Sequence, residues 1–148
     1  MTLNIRPAVP DDIGQVHAMM GDLARHHGDT LTTTAESLLD RIFVKRQASI
    51  LVVAEEEGLV GYAMIVARPN LVTGGVRHEI EHLFIMEWRR RAGLGRAMIA
   101  AARQISRDAE AEVLMIGTYR ENLGAQTAYR DMGLQEVQYG PRFKVELA

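Results

Sequence analysis

Nothing constrains this chain more than residues 79 to 96, Glu-Ile-Glu-His-Leu-Phe-Ile-Met-Glu-Trp-Arg-Arg-Arg-Ala-Gly-Leu-Gly-Arg. The first half is strand-like: Ile80, Leu83, Phe84, Ile85 and Met86 are apolar, with carboxylates interleaved at Glu79 and Glu81. The second half brings Arg89, Arg90 and Arg91, then Gly93-Leu-Gly95. Beyond them Leu94, Met98, Ala101, Ala102 and Ile105 recur at helical spacing. A glycine turn that opens a helix presents unpaired backbone N–H groups and the positive end of the helix dipole. Such a turn suits a phosphate or pyrophosphate, and neighbouring arginines add bidentate charge. On its own G-x-G is also an ordinary tight turn. The third glycine of the dinucleotide fingerprint is missing, and no G-x-x-x-x-G-K-[ST] occurs.

The rest of the chain reads as alternating short elements without an internal repeat, linker or low-complexity stretch. Leu3 to Arg6 is a first strand, ended by Pro7 and Pro10. Asp11 or Asp12 then caps a helix whose apolar side is Ile13, Val16, Met20, Leu23 and Ala24, closed by His26-His27-Gly28-Asp29. Thr33-x-x-Glu36 has the spacing of a capping box ahead of Ala35, Leu38, Leu39 and Ile42. Strands are expected over 49–55 and 59–68, joined by the acidic turn Glu55-Glu-Glu-Gly58. Pro69-Asn70 and Gly74-Gly75 predict a flexible loop before the central strand. A strand over 113–117 and a helix capped by Asn122 and stopped by Gly133 follow. Strands over 134–138 and 142–147 finish the order β-α-α-β-β-β-α-β-α-β-β, an α/β (α+β) arrangement read as one domain over residues 1–148.

Composition narrows the function classes. Lys and Arg number 17 against 19 Asp and Glu, a net charge of −2, so charge does not suggest a nucleic-acid partner. The absence of cysteine excludes disulfides, zinc–thiolate sites and a thiol nucleophile. No apolar run approaches ~18 residues and the N-terminus reads as a strand rather than a signal peptide, so a cytoplasmic protein away from membranes is expected. His26 and His27 are adjacent, not at the i, i+4 spacing that places two ligands on one helix face, and no metal site is expected.

Over essentially its whole length the chain resembles the GNAT superfamily of acetyl-CoA-dependent N-acyltransferases. Arg90-Arg-Ala-Gly93-Leu-Gly95 is similar to that family's [RQ]-x-x-G-x-[GA] pyrophosphate motif. Asn122-x-x-Ala125-x-x-Ala128-Tyr129-x-x-x-Gly133-Leu134 resembles its second signature. Ile5-Arg-Pro-Ala and Val60-Gly61-Tyr are typical as well. Two positions depart: Glu87 stands where a proline is common, and Trp88 lies one residue early. The resemblance implies a mixed, mostly antiparallel central sheet with about four helices, acetyl-CoA as co-substrate without a metal, and a homodimer. It implies coenzyme contacts from Ile85, Met86, Glu87, Arg90, Arg91, Ala92, Gly93, Leu94, Gly95, Arg96 and Asn122.

The implied reaction is acyl transfer from a thioester to a neutral primary amine. An alkyl ammonium near pKa 10 is mostly protonated at neutral pH, so a base or water chain must remove a proton. Strand alternation points Glu79 and Glu81 the same way, and His78 and His82 to the other face as packed or solvated residues. Two carboxylates on one cleft can accept that proton and attract a cationic acceptor; alternatively both merely face solvent at a strand end. Similarity to polyamine-type acetyltransferases favours Glu81 as base, with Glu79 as helper or substitute. Tyr129 falls where the family holds a tyrosine beside the coenzyme sulfur, to protonate the leaving thiolate or hydrogen-bond to it; otherwise it is a core aromatic. A backbone N–H near Ile85 is the expected oxyanion donor. A small-molecule or polyamine-like amine is the favoured acceptor. The alternatives are a protein or peptide amine, and a catalytically silent acyl-CoA-binding domain. A coincidental nucleotide binder is disfavoured by the missing fingerprints.

Overall fold

A computed structural model describes residues 4–138 and 140–147; Leu3, at the start of the expected first strand, lies outside them. The described elements are β1 (Asn4–Pro7), α1 (Ile13–His26), α2 (Ala35–Phe43), β2 (Ser49–Glu55), β3 (Gly58–Asn70), β4 (Gly75–Ile85), α3 (Leu94–Asp108), β5 (Val113–Ile116) and α4 (Leu123–Asp131). Short 3-10 turns at Pro10–Asp12 and Glu87–Arg89 precede α1 and α3. The contacts gather into two compact units, Met1–Gly117 and Thr118–Ala148.

In the first unit one five-stranded sheet runs β1-β2-β3-β4-β5. Neighbours are antiparallel except β4 and β5, which are parallel. A parallel neighbour needs a crossover, and α3 supplies it. This is the mixed, mostly antiparallel α/β arrangement expected, with four helices along the chain. The middle strands are buried on both faces. Ile50, Val52, Leu59, Tyr62, Met64 and Phe84 form one core with Ile13, Val16, Met19 and Met20 of α1 and Leu38 and Ile42 of α2. The alternate residues Leu51, Val53, Ala63, Ile65 and Ile80 turn the other way, where α3 contributes Leu94, Met98, Ile99 and Ala102. Burial of this kind contributes about 25 cal/mol per Å² of apolar surface, which makes the two-faced sheet the stable centre of the unit.

Several local expectations change. Asp12 does not cap α1 with its side chain; its buried carboxylate accepts from Val9 N (2.8 Å) and holds Arg6 through two bonds (2.6 and 3.1 Å). The cap of α2 is Thr34, whose Oγ1 accepts from Ser37 N at 3.0 Å; the Thr33 carbonyl lies outside the helix and meets His17 Nε2 at 2.7 Å. The loop expected around 69–75 is a tight hairpin end: the ladder continues to Asn70 opposite Gly75, and Gly74 N donates to Asn70 O.

The second unit holds α4. Asn122 Oδ1 accepts from Ala125 N (3.1 Å), as a cap should. Its C-terminal end closes with Leu134 N on Tyr129 O (3.0 Å) and Gly133 at φ +87, the left-handed position that favours glycine. The two strands expected over 134–138 and 142–147 are not formed among the described residues. The alternation of Phe143, Val145 and Leu147 has the period of a strand, but all three side chains are exposed and no ladder pairs them. A strand needs a hydrogen-bonded neighbour as well as a pattern.

Candidate active site

The register between β3 and β4 is interrupted. Met64 pairs His82 and Ile65 pairs Ile80, so β4 carries one residue more than β3, and Glu81 is the extra one. A bulge of this kind reverses the face of every residue beyond it relative to simple alternation. His78 and Ile80 face α3, and His78 Nδ1 is bonded to Ser106 Oγ at 2.8 Å in a buried pair. His82 and Phe84 face α1 and α2 instead, with Tyr62 and Met64. The expectation that His78 and His82 share a face is therefore corrected: an inserted residue separates them.

Glu79 lies before the bulge and pairs Val66; Glu81 is its unpaired residue. Both reach one side chain, Arg68 of β3. Its Nη2 is 2.7 Å from Glu81 Oε1 and its Nε is 4.0 Å from Glu79 Oε1, with all three side chains partly exposed. Arg68 sits directly across from Arg77 in the ladder, so the carboxylates also offset a like-charge neighbour. The two glutamates are thus gathered on one cation. Arg68 carried no signal in the sequence, because the pairing that brings it there is not local.

His82 is half-buried. Its Nδ1 is 3.1 Å from Tyr62 Oη, and the two rings meet edge to face. Burial lowers the imidazole below its ordinary value; the Glu81 charge opposes that shift, and His27 at the end of α1 adds to it. Tyr62 is fully buried, which raises its phenol well above the usual range.

Past the bulge β4 pairs β3 alone among the described residues, since β5 covers only residues 77–80. Met86 N donates to Val60 O at 2.8 Å, so the preceding N–H, that of Ile85, points to the edge away from β3. The Ile85 carbonyl on that edge accepts from Arg90 Nε at 2.8 Å. The close approach of β3 here requires Gly61: a Cβ would stand 2.6 Å from Ile85 Cδ1 and 2.8 Å from Phe84 O.

The departures at Glu87 and Trp88 resolve into the 3-10 turn that ends at Arg89. Arg89 Nε then bonds Glu55 (2.6 Å), and the Arg90 guanidinium lies over the Phe84 ring. Arg91 takes φ +63 and Gly93 φ +81, and α3 starts at Leu94. Among the described residues none of the N–H groups of residues 91–96 donates to a backbone carbonyl, and a Cβ built at Gly93 or Gly95 meets nothing within 4 Å. Arg91 is exposed and makes no ion pair among the described residues. An open row of donors with a free arginine is a fit for the diphosphate of a coenzyme. A cavity of about 770 Å³ lies elsewhere, at the β2–β3 turn among Gln15, Glu55, Glu57, Leu59, Met86 and Trp88. It contains neither Glu79 nor Glu81.

In the second unit Tyr129 is half-buried on α4, and burial raises its phenol above its ordinary value. Asn122 spends its side-chain oxygen on the helix cap. Among the described residues no cluster of three His, Asp or Glu side chains is arranged to hold a metal, and no helix is long and apolar enough to cross a membrane.

Residues 16–134 match the profile of the acetyltransferase (GNAT) family. No curated protein matches the sequence. Solved structures do. A transcriptional regulator from Bacillus halodurans C-125 superposes with a TM-score of 0.83 at 19% identity, over 97% of this chain and 100% of that one. An acetyltransferase from Trypanosoma brucei gives 0.78 at 20% identity, over 97% and 100%. A ribosomal-protein-alanine N-acetyltransferase from Brucella melitensis biovar Abortus 2308 gives 0.74 at 17% identity, over 96% and 100%. At these identities the likeness is one of fold.

Proposed function

The chain belongs to the acetyltransferase (GNAT) family and is an acetyl-CoA-dependent acyltransferase, and from that premise we propose that it transfers acetyl directly to the primary amine of a small molecule, polyamines included. One observation carries the choice of acceptor: Glu79, just before a bulge, and Glu81, the extra residue of that bulge, converge on a single cation. The guanidinium of Arg68 occupies the position that a protonated amine would contest. Two carboxylates in contact with an incoming ammonium raise its local concentration and offer it a proton acceptor. In this reading Glu81 accepts the proton, directly or through water, and Glu79 contributes to the same water-linked site.

The coenzyme supplies the acetyl thioester. Its diphosphate would be held by the backbone of residues 91–96 with Arg90 and Arg91, and Ile85, Met86 and Glu87 would flank the arm leading to the thioester. Ile85 N–H, on the unpaired edge of β4, is the donor we assign to the carbonyl oxygen on which charge develops. Tyr129 acts late, on the departing sulfur, and Asn122 holds the start of its helix. A cytoplasmic homodimer is the assembly the family resemblance suggests.

The test is a screen of the purified protein with acetyl-CoA against a panel of small amines, diamines and peptides, read by release of free thiol. Turnover of small amines is expected. Turnover confined to peptides would overturn the acceptor assignment, and binding of coenzyme A without any turnover would favour the silent acyl-CoA-binding alternative. Gly93→Val places a branched Cβ at φ +81 in the phosphate turn and should weaken coenzyme binding more than ~10-fold by calorimetry.

A further inference from the structure

We propose that Tyr62 fixes His82 as the neutral imidazole protonated at Nε2, a hydrogen-bond donor toward the acceptor, and that favoured amines therefore carry a carbonyl, carboxylate or hydroxyl oxygen within two or three bonds of their nitrogen. The substrate half of this proposal rests on the acetyltransferase reading; the tautomer half does not.

The argument begins with the buried hydroxyl. Tyr62 is fully buried, and its Oη has one partner among the described residues, His82 Nδ1 at 3.1 Å. A buried O–H that donates to nothing carries a desolvation cost, so the phenol donates and Nδ1 accepts. A phenol raised by burial keeps its proton, which makes it a permanent donor. With Nδ1 committed as acceptor, a neutral ring must carry its proton on Nε2. Protonating Nδ1 would set two donors against each other, and burial already holds the ring toward the neutral form.

Nε2 has no partner among the described residues, yet no buried side-chain nitrogen or oxygen is left unsatisfied, so this atom is reached by solvent. It belongs to the residue next to Glu81, on the face shared with Tyr62 and Phe84. The groups whose charge or proton bears on it are Glu81 of the same strand, Tyr62 of β3 and His27 at the end of α1. A ring locked in this way cannot serve as the base at Nε2; it can only donate. Carboxylates before and at the bulge gather nitrogen, and a fixed N–H on the next residue gathers oxygen. An acceptor that offers both satisfies an open donor which an alkylamine leaves to water.

Histidine-labelled full-length protein would be compared with Tyr62→Phe by long-range ¹H–¹⁵N correlation at neutral pH. The expected result is a neutral Nε2–H ring in the wild type and loss of the single tautomer in the variant. A ring protonated at Nδ1, an imidazolium, or a spectrum indifferent to Tyr62→Phe would overturn the lock. Matched acceptors, glycinamide and ethanolamine against propylamine and a diamine, should then differ by about tenfold in kcat/KM in favour of oxygen. His82→Phe should bring that ratio to near one, and His82→Gln, which keeps an N–H donor, should restore part of it. Equal rates in the wild type, or a preference that survives His82→Phe, would overturn the donor role. Turnover of none of the amines would remove the acceptor reading together with the substrate half, while the tautomer would still stand or fall by the spectrum.

Discussion

Two arginine–carboxylate contacts on the same sheet have nearly the same length and different surroundings. Arg6 of β1 meets Asp12 at 2.6 Å; Arg68 of β3 meets Glu81 at 2.7 Å. Side-chain exposure separates them: 8% for the Asp12 carboxylate, against 36% for Glu81 and 55% for Arg68. Asp12 also accepts from Val9 N, so its oxygens are tied into the backbone turn that launches α1. Among the described residues no backbone N–H ties the side chains of Glu79 and Glu81, and they share one guanidinium. Bond length therefore says little about what a pair does. The buried, backbone-anchored contact holds a piece of the fold. The open one can be exchanged for another cation, and that is the property an amine site requires.

The largest effect that would test this contrast comes from Glu79→Gln with Glu81→Gln. Each change keeps shape and removes charge. If the open pair is the proton acceptor, kcat/KM at neutral pH should fall about a hundredfold or more. Part of the loss should return at high pH, where free amine is abundant. The melting temperature should hardly move, since both side chains are partly exposed. Full activity of the double variant at pH 7 would make the carboxylates spectators.

Asp12→Asn probes the other pair and should reverse the pattern. It removes the charge while leaving an acceptor for Val9 N, so a loss of roughly 2 kcal/mol and a drop of several degrees in melting temperature are expected, with the fold intact. The Arg6 hydrogen bond holds the Asp12 carboxyl below the usual carboxylate range. A depressed folded value contributes stability that is complete above the ordinary Asp value and is lost as pH falls through the folded one. The melting gap between wild type and Asp12→Asn should therefore be constant near neutrality and close in acid, below about pH 4. A gap independent of pH would mean that Asp12 acts through shape and not through charge.

What the sequence disclosed divides along the same line. The strand–turn–helix of residues 79–96 was legible because each half carries its own local period, and the Asn122 cap because its acceptor lies three residues from its donor. The bulge at Glu81 was not. It depends on how many residues β3 offers opposite β4, so plain alternation put His78 and His82 together when they face opposite cores. Arg68 was missed for the same reason: 13 residues separate it from Glu81, and only register joins them. Thr33 had the spacing of a capping box, but α2 begins one residue later than that spacing implies, and the hydroxyl that accepts from its first turn is that of Thr34. In the second unit the alternation at 142–147 promised a strand where no described neighbour pairs it.

The smallest expected effect belongs to Arg68→Met. Removing the guanidinium frees both glutamates and breaks a contact at 2.7 Å, which by distance alone would suggest a clear loss of stability. Three features argue otherwise. The pair is open to solvent, where such contacts are typically worth ~0–1 kcal/mol. Arg68 stands directly across from Arg77, so its removal also relieves a like-charge neighbour. The methionine stem can still cover the apolar surface that the arginine stem covered. Stability should therefore change by less than ~0.5 kcal/mol, and the difference should shrink further in salt. The kinetic effect should appear in KM more than in kcat: with no internal cation to displace, a positively charged acceptor should bind severalfold more tightly, most clearly at low ionic strength. Steady-state kinetics with a diamine and a monoamine, alongside thermal melts at two salt concentrations, would measure both. A melting loss comparable to that of Asp12→Asn would show that the open pair is a structural contact after all. An unchanged KM would show that the acceptor does not compete for these carboxylates.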